Sequence, residues 1–176
     1  MATNIGTGPQ DIPLNQFLGE MAFMDRPPAK PGFTAMGGSG PATDTPSAND
    51  TSEISSKFID VTSNGCYNTG SYNNSTGVFT APVGGRYFCF ANMRWETASF
   101  VMNNYIRTYI SINGANTFQV HAINGQNEAF TSYMAMNISG VLSLAAGETL
   151  TLKGGMNGGT AKGYWSESCW GAYLLG

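Results

Sequence analysis

Only a few residues of this chain belong to types that could carry out acid–base or nucleophilic chemistry, and their spacing does not support it. The single histidine, His121, lies in the strand-like stretch FQVHAI with no acidic or nucleophilic residue at a catalytic spacing. General acid–base catalysis needs a positioned partner for such a group. The five carboxylates after residue 55 are scattered, so they indicate neither a calcium loop nor a glycosidase pair. Distant carboxylates can still meet in a fold, which leaves a hydrolase open, but we predict that the protein is not an enzyme.

The cysteines and a glycine-rich stretch near the C-terminus predict no cofactor. Cys66, Cys89 and Cys169 are an odd number without metal-ligand spacing. We interpret them as reduced thiols of a protein that folds in cytoplasm, although one pair could still form a disulfide. Residues 154–163 (GGMNGGTAKG) lack the spacing of a phosphate-binding loop and indicate a flexible hairpin loop instead. We therefore expect neither a metal ion nor a bound cofactor.

Aromatic residues beside this polar loop suggest a different kind of chemistry, the binding of sugars. Tyr164 and Trp165 directly follow the glycine-rich stretch. Such rings present an apolar face and a polar edge, so they can stack on a sugar while nearby amides and hydroxyls bind its hydroxyl groups. We therefore treat Tyr164 and Trp165 as candidate ligand-binding residues. The alternative is that these rings fill the core or a contact between subunits.

The composition excludes several classes of protein and favours an all-β domain. The 176 residues include only 11% charged side chains and have a formal net charge of −3, which provides no basic patch for nucleic acid. No apolar run reaches the length of about 18 residues that a membrane helix needs, so we expect no membrane insertion. The N-terminus lacks the cationic start and apolar centre of a secretory signal. The 23 glycines and many Asn, Thr and Ser residues are typical of turns and strands.

From residue 56 onward the sequence shows short strands separated by turn signals. Asn113-Gly114 and Ala146-Gly147 are examples of these turns. This pattern predicts an antiparallel sandwich or barrel. The predicted strands are residues 57–61, 77–79, 86–93, 105–112, 118–123, 130–138, 141–144, 149–153 and 169–175.

Some of these strands are apolar on both faces, which predicts association between copies of the chain. Residues 86–93 (RYFCFANM) and 169–175 (CWGAYLL) place large apolar groups at both odd and even positions. Residues 105–112 have an isoleucine face and an opposite face that carries Tyr105 and Tyr109. Large exposed apolar patches are rare on monomers, so neighbouring subunits are the simplest cover for the outer faces.

The first 55 residues differ from the rest in charge and texture. They carry six acidic and two basic side chains, whereas residues 56–176 carry five acidic and six basic side chains. Residues 27–55 have almost no large apolar side chain and predict a linker rich in Pro, Gly, Ser and Thr. We therefore divide the chain into an anchoring segment (1–26), a linker (27–55) and a globular domain (56–176).

The anchoring segment contains a short amphipathic stretch. Leu14, Phe17, Leu18 and Met21 fall on one face of a helix, and Pro13 suits its first turn. A helix of about ten residues is unstable alone in water, so it needs a partner surface. We predict that it docks on another protein, and the alternative is that it packs on its own domain. The candidate docking residues are Ile12, Leu14, Phe17, Leu18, Met21 and Phe23.

The globular part resembles the C1q/TNF-like jelly-roll family. Residues 77–88 (GVFTAPVGGRYF) are similar to the family signature GxFTAPxxGxYxF, and residues 110–114 (ISING) to its strand that ends in Asn-Gly. Residues 141–150 resemble its L-x-x-G-D turn, with Glu148 in place of Asp. Residues 168–175 resemble its closing strand, with Trp170 where Phe is usual. The resemblance covers about residues 57–176.

This resemblance implies a ten-stranded antiparallel jelly-roll sandwich and a tight homotrimer, which agrees with the two-sided strands. The collagen stalk that usually precedes this domain is missing, since residues 1–55 show no Gly-x-y period. We expect the outward aromatic and apolar residues of the two-sided strands to form the trimer contact. The candidates are Tyr87, Cys89, Tyr105, Tyr109, Tyr173 and Leu175.

The N-terminal phrase of residues 4–19 (NIGTGPQDIPLNQFLG) resembles the leader of bacteriophage virion proteins, particularly fibres of marine or cyanobacterial phages. This second resemblance implies a virion protein that is assembled in the host bacterial cytoplasm and docks on another virion protein through residues 1–26. The expected function is a small tail fibre or spike that attaches to the host surface, with a surface glycan as a possible ligand. The alternatives are a capsid decoration protein that stabilises the shell, and a cellular ligand-binding module of the C1q-like type.

Overall fold

The computed structural model describes residues 30–38, 51–62, 66–100, 104–123, 130–157, 160–163 and 165–175. These residues form strands and two short 3₁₀ turns, Ser55–Lys57 and Trp165–Glu167. None of the helices in the described part of the chain is long and apolar enough to cross a membrane. The strands are β1 (Gly32–Met36), β2 (Thr51–Glu53), β3 (Tyr67–Asn68), β4 (Tyr72–Asn73), β5 (Val78–Thr80), β6 (Gly85–Phe100), β7 (Tyr105–Ile112), β8 (Ala115–Ile123), β9 (Phe130–Leu144), β10 (Thr149–Asn157), β11 (Thr160–Gly163) and β12 (Cys169–Leu174).

The strands form two antiparallel sheets that pack as a jelly-roll-like sandwich, which confirms the all-β prediction. In sheet A, β6 lies between β9 on one side and β12 and β11 on the other, and β12 continues to β1 and β3. Sheet B has the order β4-β5-β10-β7-β8, with β2 also paired to β10. Strands far apart in sequence are neighbours, since β1 pairs with β12 and β5 with β10. The resemblance implied ten strands, and the described residues form twelve.

The core lies between the sheets and is rich in aromatic rings. Phe33 of β1 stacks on Tyr72 with 4.1 Å between ring centroids and on Phe79 with 5.1 Å, and meets the edge of Trp170 at 4.7 Å. Trp95 and Trp170 are fully buried in the same cluster. Stacked and edge-to-face pairs of this kind stabilise beyond the area they bury. These contacts join strands from both ends of the described chain into one core.

The predicted boundary at residue 56 is wrong, because the compact unit begins at Pro31. Strand β1 lies within the predicted linker, pairs with β12 and β3, and buries Phe33 completely. The sequence GFTAM is short, but its alternate residues Phe33 and Ala35 lie on one face and are buried. These five residues can form a strand because neighbouring strands on both sides provide hydrogen-bond partners. The rest of the predicted linker includes β2, which adds to sheet B. The predicted helix in residues 12–23 lies outside the described residues.

Two local predictions from the sequence also differ from the structure. Residues 57–61 are not a strand: the 3₁₀ turn Ser55–Lys57 is followed by a single bridge between Met36 and Asp60. The glycine-rich stretch is not simply a loop, since Gly154 to Asn157 belong to β10 and Thr160–Gly163 forms β11. Gly154 is required there because a Cβ would lie 2.6 Å from the Trp95 ring. The glycines therefore make room for a core tryptophan between the sheets.

The hairpin between β7 and β8 follows the Asn-Gly prediction. Asn113 and Gly114 have φ angles of +49° and +81°, the left-handed pair that a type I′ turn requires. The Asn113 side chain extends beyond the turn: its Oδ1 accepts from the Thr149 amide at 2.9 Å and its Nδ2 donates to Glu148 at 3.0 Å. This turn is thus tied to the start of β10.

Candidate functional site

The described residues contain no group of three or more His, Cys, Asp or Glu side chains that could hold a metal ion. The three cysteines form no disulfide. The side chain of His121 lies outside the described part, although its backbone pairs with Arg107 across β7 and β8.

The sugar-binding prediction for Trp165 is wrong, because this ring is part of the core. Trp165 is 5% exposed and meets Trp95 edge-on, with 5.8 Å between ring centroids, and Phe58 at 6.0 Å. The 3₁₀ turn Trp165–Glu167 directs the ring inward, and Gly163 leaves the space it occupies. Tyr164 lies outside the described residues. The alternative stated for these rings, filling of the core, holds for Trp165.

Tyr87 and Cys89 were predicted at a subunit contact, and this prediction is also wrong. Both residues are fully buried between the sheets. The Tyr87 hydroxyl donates to the Val83 carbonyl at 2.8 Å. Side chains alternate along a strand, so the inward position of Tyr87 and Cys89 places Phe88 and Phe90 on the outer face. The stretch RYFCFANM is apolar on both faces, as expected. However, the face with Tyr87 and Cys89, which was predicted to point outward, enters the core.

The outer face of sheet A carries an exposed apolar surface, here called the sheet A patch. Its rings are in contact: Phe88 lies 5.3 Å from Tyr173 and 6.2 Å from Phe90, measured between centroids. Val141 is 51% exposed, opposite Phe88 on β9. The candidate Leu175, 41% exposed, follows directly after β12. The sheet A patch consists of Tyr67, Phe88, Phe90, Val141 and Tyr173.

Two glycines let the rings of the sheet A patch lie against the backbone. A Cβ on Gly171 would lie 2.9 Å from the Phe90 ring, and a Cβ on Gly32 would lie 2.8 Å from the Tyr67 hydroxyl. Burial raises the pKa of Tyr67, with Tyr173 as a smaller contributor. The rings are thus held on the sheet as a broad surface that has no cover within the described chain.

The other end of the same outer face is charged. Arg94 of β6 pairs with Glu167 and lies over the ring of Tyr133, 3.8 Å from its centroid. The Arg94 amide donates to the Ser168 hydroxyl at 3.0 Å. The outer face of sheet A therefore changes from apolar to polar along its strands, which limits the apolar contact to one end.

Tyr105 and Tyr109, the contact candidates on β7, share a face with Arg107. Tyr105 is half-buried, whereas Tyr109 is only 3% exposed, so the predicted subunit contact is wrong for Tyr109. They flank Arg107 on β7, while Ile106 and Ile110 of the same strand face the core. Burial raises the pKa of Tyr109, and the nearby Arg107 lowers it to a smaller extent. The structure therefore separates the predicted contact residues into a core pair, a pair on sheet B, and Tyr173 with Leu175 on sheet A.

An open groove lies at the β4 and β5 edge of sheet B, with a volume of about 820 Å³. It is lined by uncharged residues, including Asn73, Asn74, Thr76, Thr80 and Pro82. The side-chain Oδ1 of Asn73 already accepts hydrogen bonds from the backbone amides of Ser75 and Thr76. One amide oxygen of the lining is thus already engaged within the protein.

The cysteines should differ in reactivity, which gives a direct test of the faces of β6. Burial raises the pKa of Cys89 to about 12, whereas Cys66 and Cys169 are partly exposed. The thiolate is the reactive form, so we expect a disulfide reagent at pH 8 to leave Cys89 unmodified until the protein unfolds. Because the folded state holds the Cys89 proton more tightly, its contribution to stability is complete below about pH 9 and is lost as pH rises toward about 12.

The measurement is a count of modified thiols in native and denatured protein. A Cys89→Ala variant should lose one reactive thiol in denaturant and none in the native state. Modification of Cys89 in the native protein would mean that it lies on the outer face, as the sequence first suggested.

Comparison with known proteins yields no assignment: no protein-family model matches the chain, and no curated protein is similar to it.

Proposed function

We propose that this chain is a non-enzymatic structural protein of a bacteriophage virion, which assembles as a homotrimer and serves as a small tail fibre or spike for attachment to the host surface. In this proposal the sandwich of residues 31–176 is a C1q/TNF-like head. Residues 1–26 dock it on another virion protein, and the protein reaches the virion from the host bacterial cytoplasm. The observation that carries the proposal is the sheet A patch.

The sheet A patch supports assembly because it leaves several large rings without cover in the described subunit. Tyr173 is 37% exposed and lies beside Phe88, and Tyr67, on β3, is 39% exposed with its hydroxyl beside Gly32. Interface cores are enriched in aromatic residues, and contiguous apolar patches of this type mark contact sites. The chain as a whole has only 11% charged residues, which also favours contact between copies. Closed rings are the usual outcome of such association.

The strand order supports the resemblance to the C1q/TNF-like family. Without β2 and β11, the sheets have the orders β9-β6-β12-β1-β3 and β4-β5-β10-β7-β8, a sandwich of two five-stranded sheets. This agrees with the ten strands that the family resemblance implies. The N-terminal phrase NIGTGPQDIPLNQFLG supports the virion as the place where the trimer works.

The first test of the proposal is the mass of the purified full-length protein in sedimentation equilibrium. We expect about three times the chain mass of 18.6 kDa at micromolar concentration. A stable, well-dispersed monomer contradicts the trimer. The second test is deletion of residues 1–26, which should leave the trimer intact but prevent its incorporation into particles.

The number of copies per particle tests the role within the virion. A few dozen copies at the tail agree with host attachment. Hundreds of copies spread over the shell contradict it and indicate capsid decoration instead. Incorporation of the truncated protein contradicts docking through the N-terminal segment.

A further inference from the structure

Arg107 is a partly buried cation on β7 of sheet B, and it has no anionic partner among the described residues. Its guanidinium carbon lies 5.0 Å from the ring centroid of Tyr105 and 5.5 Å from that of Tyr109. Its Nε is withdrawn from solvent and donates no hydrogen bond within the described structure. No carboxylate of the described residues lies within 4 Å of it, whereas Arg94 on the other sheet pairs with Glu167.

This arrangement suits the binding of a carboxylate. A partly buried charge without a counterion is unfavourable, and an anion that reaches it gains the energy of a charge-assisted hydrogen bond. The planar guanidinium presents paired N–H donors that match the two oxygens of a carboxylate. The two tyrosine rings hold the cation in place, which lowers the entropy lost when an anion binds.

The strand register shows which residues border the guanidinium. Across the sheet Arg107 pairs with Gly155 of β10 on one side and with His121 of β8 on the other. Gly155 in turn pairs with Thr51 of β2. The position between Arg107 and β2 therefore has no side chain, and the site is bordered on that side by backbone.

The neighbouring row along the strands adds an aromatic and an amide group. Tyr105, which is half-buried, pairs with Asn157 of β10. A tyrosine ring can contact the apolar face of a sugar, and an amide can bind its hydroxyl groups. Lys153 of β10 pairs with Tyr109, on the other side of Arg107 from Tyr105. Its Nζ donates a hydrogen bond to the Gly114 carbonyl at 2.6 Å, so the ammonium group is directed to the β7–β8 turn. Arg107 is thus the cation placed to meet a ligand beside Tyr105.

We propose that Arg107 binds the carboxylate of an acidic sugar residue, with Tyr105 against the sugar ring. This inference rests on the proposed function, since it names the class of host-surface glycan that the head recognises. A single cation beside an aromatic ring and an amide fits a uronic acid better than a densely charged polymer. The surrounding residues of sheet B carry too few charges for nucleic acid.

The test measures binding of trigalacturonate to the full-length protein by calorimetry, with its methyl ester as the neutral counterpart. We expect trigalacturonate to bind and the ester not to bind. Arg107→Gln should weaken binding by roughly 10- to 100-fold, as the loss of a charge-assisted pair predicts. Arg86→Gln, at an exposed arginine of sheet A, is the matched control and should bind as the unmodified protein does.

Three results would overturn the assignment. They are equal binding of the acid and its ester, binding unaffected in Arg107→Gln, and binding of dextran sulfate with none of trigalacturonate. Arg107→Lys keeps the charge but lacks the paired N–H donors, so its affinity for trigalacturonate should be intermediate. This variant provides the test if Arg107→Gln does not fold. The trimer mass and incorporation into particles are measured on the same variants. If trigalacturonate does not bind but the trimer mass and incorporation into particles are as expected, only this inference is refuted. A monomeric protein instead refutes the proposed assembly.

Discussion

Replacement of Phe33 by Ala should lower the free energy of unfolding by about 3–5 kcal/mol, the range for large-to-small changes of buried aromatic residues. Phe33 is fully buried and contacts Tyr72, Phe79 and Trp170. The substitution removes the ring on which the stack between the two sheets is built, and the surrounding rings are too rigid to fill the space. Urea denaturation measures the change, at one protein concentration because association also contributes to stability.

The neighbouring residue provides the control for Phe33. Thr34 pairs with Gly171 and Tyr67 on the opposite face of β1, so Thr34→Ala keeps the core intact. Its effect should stay within about 0.5 kcal/mol, as for most surface substitutions. A loss below about 1 kcal/mol for Phe33→Ala would mean that residues 32–36 are dispensable for the core, as a linker would be.

Replacement of Phe88 by Asp should convert the trimer to a folded monomer. Phe88 is central to the sheet A patch, beside Tyr173, Phe90 and Val141. In a closed trimer each copy would bury one carboxylate among apolar groups, and an unpaired buried charge is strongly unfavourable. Sedimentation velocity should therefore show a species of one chain mass, whereas we expect three chain masses for the unmodified protein. Thermal unfolding of the monomer should stay cooperative, because Phe88 lies outside the core.

The matched control for this prediction is Ile59→Asp. Ile59 is 52% exposed, lies near Gly38 and is not one of the residues of the sheet A patch. The same charge at this position should leave the trimer unchanged. A trimeric Phe88→Asp protein, or a monomeric Ile59→Asp protein, would place the contact elsewhere on the subunit.

The strands of the second half could be predicted because their signals are local. Residues 105–112 alternate between isoleucine and polar or aromatic positions, and the Asn113-Gly114 turn fixes the hairpin that follows. Strand β1 could not be predicted in this way. Its five residues lie among Pro, Gly and Ser, and its stability comes from pairing with β12, more than 130 residues away. Pairing with a strand that is distant in sequence cannot be predicted from the residues of a short segment alone.

The assignment of faces failed for a related reason. In RYFCFANM both the odd and the even positions are apolar, so hydrophobic alternation cannot say which face enters the core. The structure decides it by size: the small side chains of Cys89 and Ala91 lie inside between Tyr87 and Met93, where rings from the other sheet also need room. The pattern Tyr-x-Arg-x-Tyr around Arg107 was visible in the sequence. That no carboxylate of the described part of the chain lies beside Arg107 depends on how distant strands pair with β7, and no spacing reveals it.

The position of β1 determines how the head would respond to mechanical load. Strand β1 is bonded along its whole length to β12 and also to β3, and its first residue follows the segment proposed to hold the particle. Tension that enters at residue 31 along the strand direction is shared by all of these hydrogen bonds at once, because they lie across the line of force. Rupture then requires many bonds to yield together, whereas a strand peeled from its end yields one bond at a time. If residues 1–26 hold this domain on a particle, as proposed, we expect the domain to resist detachment under flow.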